Sequence, residues 1–145
     1  MGFALAEAAL QRGASVTLIH GPVSIHPPKG ATCIPVERAV EKKDAVLQQL
    51  NRASVLIMAA AVADWAPVSP SPTKGEKQGT SKHIECERTP DILRETIGVG
   101  GALRVGFAAQ THDLEAQAKK KLKSKELDFI VANPIGSPGA GFGAE

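Results

Sequence analysis

Val55-Leu56-Ile57-Met58-Ala59-Ala60 decides the fold. Six consecutive apolar residues, opening on a β-branched one and running into Ala61-Val62-Ala63-Asp64-Trp65, read as a strand buried on both faces. Strands of that kind belong to parallel sheets with helices on either side. Outward from it, helical and extended patterns alternate. Upstream, Ala4 to Arg12 is rich in strong helix formers, sets Phe3, Ala6 and Leu10 on one face, and stops at Gly13, which accepts the left-handed conformation. Ser15 to Ile19 reads as a short strand closed by Gly21-Pro22, and Thr32 to Val36 as a second. Ala39 to Leu50 reads as a helix with Val40, Val46, Leu47 and Leu50 facing inward. Downstream, Ile84 to Glu87 reads as a short strand. Thr89-Pro90-Asp91 reads as a helix start: a capping threonine, proline at the first helical position, then an acid in the first turn. A strand over Leu103–Ala108, a helix over Leu114–Lys125 and a strand over Asp128–Ala132 complete the series, with Asn133-Pro134 as its stop and a glycine-rich tail over Gly136–Gly143. The alternation predicts an α/β domain with a doubly wound, Rossmann-like, mostly parallel sheet and helices on both faces. Ligands of such sheets bind at the carboxyl ends of the strands. The loops after Ile19, Ala60, Ala108 and Ala132 are therefore the places for a site.

Composition narrows the function classes. The chain has 145 residues, enough for one domain with one core. Apolar residues are 43% and charged residues 22%, the ordinary globular range. Seventeen basic and 15 acidic residues leave a net charge of +2, so electrostatics alone predict no nucleic-acid or membrane partner. Aromatics are only 3%, too few for a surface that stacks bases. No apolar run approaches the roughly 20 residues that span a bilayer. Cys33 and Cys86 cannot build a disulfide framework, which predicts a reduced, cytoplasmic, soluble protein. Asp64 to Ser81, with Pro67, Pro70 and Pro72 and no periodicity, reads as a long mobile excursion.

Several common motifs are missing. There is no Walker A loop, and no G-x-G-x-x-G stands between a strand and a helix. The four histidines lack metal-ligand spacing, so no protein metal site is expected. Three features offer chemistry. Asp64 follows the small residues at a strand end, where its carboxylate could accept from an amino or hydroxyl group; a turn aspartate capping local backbone would look the same. Lys74, in Lys74-Gly75-Glu76-Lys77, could fold over an anionic ligand; a solvated charge run is the plain alternative. Lys121 and Lys125 stand four apart on one helix face and could hold a phosphate chain, although the helix dipole favours lysines near a C-terminus whatever the function.

Taken in order, the pieces resemble one family. Ala-Ala-Val-Ala-Asp-Trp over 60–65, the lysine loop, Thr-Pro-Asp-Ile-Leu over 89–93, Val-Gly-Phe-Ala-Ala-Gln-Thr over 105–111, the lysine-rich helix and Asp-Phe-Ile-Val-Ala-Asn over 128–133 are similar to the phosphopantothenoylcysteine synthetase (phosphopantothenate–cysteine ligase) family of coenzyme A biosynthesis. Met-Gly-Phe-Ala-Leu-Ala-Glu-Ala-Ala over 1–9 and Val-Thr-Leu-Ile-His-Gly-Pro-Val over 16–23 resemble it too. The resemblance implies a ligase that activates the carboxylate of 4′-phosphopantothenate with CTP as an acyl-cytidylate, releases pyrophosphate, and joins the acyl group to the amine of cysteine. It implies Mg²⁺ carried on the phosphates, a homodimer with the proline-rich excursion as a dimer element, and FMN only where a separate decarboxylase domain is attached.

Residue by residue, the resemblance implies nucleotide contacts at Met58, Ala59, Ala60, Asp64, Pro90, Asp91, Ile92, Leu93, Phe107, Lys121 and Lys125, with Ala61 toward the pantothenate. It makes Lys74 the catalytic flap lysine, also on the nucleotide. Two departures stand out. Glu76 occupies a flap position where the family carries lysine. The family also has a first strand and an Asn-x-Ser-Ser-Gly-Lys stretch before the match to Met1-Gly2, and further sheet after Gly141-Phe142. The expectation is therefore a single synthetase domain over 1–145, truncated at both ends, a departure that counts against activity of this stretch alone. Two other readings use the same fold: a nicotinamide-dependent oxidoreductase whose glycine loop lies upstream, and a non-catalytic regulatory subunit.

Overall fold

The computed structural model describes residues 1–70, 83–110 and 112–134. Among these, the elements follow as α1 (Gly2–Gln11), β1 (Thr17–His20), β2 (Thr32–Pro35), α2 (Ala39–Leu50), β3 (Val55–Met58), β4 (Trp65–Pro67), β5 (Cys86–Arg88), α3 (Ile92–Glu95), β6 (Leu103–Gln110), α4 (Leu114–Ser124) and β7 (Phe129–Pro134). β6 lies between β3 and β7, parallel to both, with Met58 opposite Gly106 and Ala108 opposite Ala132. β1 and β2 form a second parallel pair, Thr17 opposite Thr32 through His20 opposite Pro35. The α/β class with parallel sheets is as expected.

β3 differs from its expected setting. Val55 and Ile57 are 47% and 44% exposed, while Leu56 and Met58 are half-buried. Among the described residues β3 is an edge strand paired only with β6, and its alternate residues Val55 and Ile57 lie on a face left open to solvent. An unbroken apolar run does not by itself say which faces are covered.

The connections after α1 and α4 are built by the same turn. α1 ends with Gly13 at φ +82°, its N–H on Leu10 O and that of Ala14 on Ala9 O. That is the two-bond C-terminal motif in which glycine is preferred. α4 ends the same way without glycine: Glu126 sits at φ +49°, its N–H on Lys123 O, and Leu127 N–H reaches Leu122 O. α2 starts with Glu41 reaching back to the N–H groups of Arg38 (3.1 Å) and Glu37 (2.9 Å), half of a capping box.

The helices bury what their periodicity allows. Ala6 of α1, Ala45, Val46 and Leu50 of α2, and Ala118 of α4 are buried together with Ile92, Leu93, Ala108 and Leu127. Val40, expected inward, is exposed in the first turn of α2. A Cβ on Gly106 would stand 2.5 Å from Leu127 Cδ1, so glycine there lets the turn after α4 close onto β6. Arg104 is 7% exposed, and among the described residues no carboxylate pairs with its guanidinium. The guanidinium instead donates to Leu93 O, to Thr96 Oγ1 (3.1 Å) and to Glu126 O (2.9 Å). Those acceptors lie at the C-terminal ends of α3 and α4, where a cation is favoured. One buried side chain thus ties α3 to the turn after α4.

Two corrections concern the middle of the chain. Trp65–Pro67, expected to open a loop without structure, pairs antiparallel with Cys86–Arg88, Trp65 opposite Arg88. The Arg88 guanidinium lies 5.3 Å from the Trp65 ring centroid, a cation–π contact. Thr89 does not cap α3. The cap is Asp91, whose carboxylate accepts from Arg94 N–H at 3.2 Å. Thr89 instead binds the preceding loop, its hydroxyl donating to Ala63 O and its N–H to Asp64 O.

α1 begins where the two parallel sheets end. Phe3 meets His20, the last residue of β1, edge-on with centroids 5.5 Å apart. A Cβ on Gly2 would lie 3.9 Å from Ala59 Cβ, just past β3.

Candidate functional site

β3 and β6 run side by side in one direction, so their carboxyl ends open together. There the chain and α4 line a half-open cavity of about 480 Å³, a size suited to a small molecule. Its floor is Ala59, Ala60, Ala61 and Val62, whose small side chains let a ligand approach the backbone. β6 contributes Phe107, Ala108, Ala109 and Gln110. α4 presents Gln117, Lys120, Lys121 and Ser124, residues at the three- and four-residue spacing of one helix face.

Lys121 is the best-placed cation. Its Nζ donates to Phe107 O at 2.6 Å, which draws the ammonium group to the cavity wall. Burial pushes the Lys121 ammonium below the usual lysine range, and the Lys125 charge adds to this; Asp91 and Asp64 act in the opposite sense. The same four residues therefore share one electrostatic neighbourhood.

Lys125 is engaged elsewhere. Its Nζ pairs with Asp91 Oδ2, while Asp91 Oδ1 holds the cap on α3. Partial burial alone would raise the Asp91 carboxyl. The hydrogen bonds from Lys125 and from the Arg94 amide, with the charges of both residues, outweigh it and hold the carboxyl below the usual range.

The cavity thus brings together Ala59, Ala60, Ala61, Phe107 and Lys121 from the expected set. Met58, Asp64, Pro90, Asp91, Ile92, Leu93 and Lys125 do not line it. Met58 ends β3 just below the floor. Asp64 is exposed, and Thr89 holds its backbone. Ile92 and Leu93 are buried in the core, so anything they offer a ligand comes from main chain. Lys121 and Lys125 lie on neighbouring turns, yet one ammonium goes to Phe107 and the other to Asp91, which corrects the picture of two free lysines side by side. Lys74 lies outside the described residues.

Sequence reading missed Val62, Ala108, Ala109, Gln110, Gln117, Lys120 and Ser124. Gln117 and Ser124 were within reach, because they stand four before and three after Lys121. Among the described residues, no three His, Cys, Asp or Glu side chains cluster as a metal site, and no helix is long and apolar enough to cross a membrane.

Residues 1–145 match the DNA/pantothenate metabolism flavoprotein C-terminal domain. The chain belongs to that family. It is 49% identical over 148 residues to the coenzyme A biosynthesis bifunctional protein CoaBC of Bacillus subtilis (strain 168), covering 100% of this chain and 36% of that protein. It is 39% identical over 154 residues to the protein of the same name from Escherichia coli (strain K12), covering 100% of this chain and 37% of the relative. Among solved structures, it is similar to the C-terminal domain of a coenzyme A biosynthesis bifunctional protein CoaBC, with a TM-score of 0.79 and 39% identity over 91% of this chain and 62% of that one. The fold of this family member is thus that of the CoaBC C-terminal domain. The chain spans little more than a third of the length of these curated relatives.

Proposed function

We propose that this domain is the phosphopantothenate–cysteine ligase unit of a coenzyme A biosynthesis protein, and that its cavity takes the nucleotide that activates phosphopantothenate. The observation that carries the reading is the cavity itself. A floor of small residues at the end of β3 faces Lys121, which is fixed to the main chain of β6, with Asp64, Asp91 and Lys125 in the same field. Family membership and relatives named for coenzyme A biosynthesis support it.

In this reading the carboxylate of 4′-phosphopantothenate attacks the α-phosphate of CTP, the bond to pyrophosphate breaks, and an acyl-cytidylate forms. Two anions must approach, and the departing pyrophosphate gathers charge. Lys121 and Lys125 lower that cost by placing cations on the phosphates, and Lys74 adds a third from the flap. The backbone over Met58–Ala60 receives the nucleotide closely because alanines leave room. Asp64 accepts from a hydroxyl or amino group, Phe107 packs against the nucleotide, and the main chain of Pro90–Leu93 borders it. Ala61 faces the pantothenate. The amine of cysteine then attacks the acyl carbon and CMP leaves. Mg²⁺ neutralises phosphate charge when bound. The described donors fit a metal carried on phosphate and water oxygens, since the chain supplies cations here and no carboxylate cage. A flavin enters only through a separate decarboxylase domain.

The test is pyrophosphate release from CTP by the full-length protein. Release should require 4′-phosphopantothenate, and added cysteine should give the amide product. Lys121→Met should lower kcat/KM at least tenfold. Release that ignores phosphopantothenate would refute the ligase reading.

A further inference from the structure

Asp91 does two things with one carboxylate. Oδ1 accepts from the Arg94 N–H at 3.2 Å and so caps α3. Oδ2 accepts from Lys125 Nζ. The first bond makes the second rigid: a capping aspartate cannot swing with the lysine it holds. α3 is itself anchored, because the buried Arg104 guanidinium binds Leu93 O and Thr96 Oγ1 on one side and Glu126 O, next to Lys125, on the other. The position of Asp91 relative to the end of α4 is thereby fixed.

The consequence falls on the cavity. Lys120 and Lys121 line it, and Lys125, one turn further along α4, does not. We propose that Asp91 is a specificity-determining residue that sets how many phosphate charges the cavity accepts, by holding Lys125 back as a paired charge. This rests on the reading of the cavity as a polyphosphate site. Among the described residues, a ligand with one phosphate meets the cations Lys120 and Lys121. A longer polyphosphate reaches Lys125 but must draw it from Asp91, so each added phosphate gains less than an unpaired lysine would give. The site thereby discriminates against long, highly charged anions that lack other contacts. Its preference comes to depend on the rest of the ligand.

The test separates charge from cap. Asparagine caps a helix as well as aspartate does, so Asp91→Asn keeps α3 and releases Lys125. Asp91→Ser, also a capping residue, stands in should the first variant fold poorly. The probes are inorganic tripolyphosphate and orthophosphate, titrated by calorimetry at low ionic strength, where exposed charges are least screened. A partly exposed ion pair is worth up to about 1 kcal/mol, which is about fivefold in affinity. Tripolyphosphate should therefore bind about fivefold more tightly to Asp91→Asn than to the unaltered protein, and orthophosphate less than twofold more tightly. In a Lys125→Met background, Asp91→Asn should change neither. Weaker tripolyphosphate binding by Asp91→Asn, a gain that survives Lys125→Met, or no tripolyphosphate binding by any of these proteins would each overturn the proposal. Because the probe carries no base, a failure of CTP to bind while tripolyphosphate responds as stated sinks the nucleotide reading and leaves this one standing. CTP binding with an unchanged tripolyphosphate ratio does the reverse.

Discussion

Lys121 carries its charge at a cost to the fold. Burial holds its ammonium below the usual lysine range, so the folded chain binds that proton more weakly than the unfolded one. The sign follows: the charged group penalises folding below its folded pKa, and the penalty fades as pH rises through that value toward the ordinary lysine value of about 10.4. Two outcomes are expected. Lys121→Met should weaken nucleotide binding at least tenfold while leaving the thermal midpoint at neutral pH no lower, as calorimetry on one sample series would show. The affinity of the unaltered protein for CTP should also fall on the alkaline side earlier than an exposed lysine would dictate. Asp91 runs the other way. Its depressed carboxyl contributes stability above the unfolded value of about 3.9, lost as pH falls through the folded value. Asp91→Asn should flatten the acid limb of a stability–pH profile, read from urea midpoints between neutral pH and pH 3.

At the scale of elements, the ends of α1 and α4 form a natural comparison. Both close with the same pair of hydrogen bonds, but α1 has glycine at the left-handed position and α4 has Glu126. A left-handed non-glycine residue costs about 1–2 kcal/mol, and glycine returns about 0.5–1 kcal/mol of that through the freer unfolded chain. Glu126→Gly should therefore stabilise by about 0.5–1 kcal/mol, a midpoint rise of about 2–4 °C, with Arg104 still bonded to the backbone carbonyl of residue 126. Gly13→Ala should destabilise by about 1 kcal/mol. An unchanged midpoint in both would mean that the turns carry no strain. This contrast also explains what could be read from the sequence. Gly13 announces its turn, whereas nothing about Glu126 does. The alternation of helices and strands was legible because apolar periodicity is local. The open face of β3 was not, because exposure of Val55 and Ile57 depends on what packs over that face, which no local pattern encodes. The capping role falls to Asp91 because the helix begins at Ile92, while Thr89, two residues before the cap, is tied by its hydroxyl to Ala63 O, 26 residues away. In the site, small residues at a strand end and the lysines of α4 marked the place, but the sharing of Asp91 and Lys125 is a tertiary contact 34 residues apart in sequence.

The whole molecule gathers two parallel sheets whose carboxyl ends meet at the start of α1, and it concentrates Lys120 and Lys121 at the cavity although its net charge is only +2. The β4–β5 ribbon and its flanks expose Trp65, Val68 and Ile84. We propose that this ribbon serves a homodimer. Light scattering should give twice the monomer mass at micromolar concentration, and Val68→Asp with Ile84→Asp should return the monomer. A monomer throughout for the unaltered protein would refute the dimer and leave the site untouched. We propose that the cavity between β3, β6 and α4 holds a nucleoside triphosphate. Its most direct test is a calorimetric titration of the protein and of Lys121→Met with CTP, and of the protein with NAD and NADP. Saturable one-to-one binding of CTP, at least tenfold weaker in Lys121→Met, with no binding of either dinucleotide, is the expected result. Binding of NAD or NADP without CTP, or CTP affinity indifferent to Lys121, would contradict it.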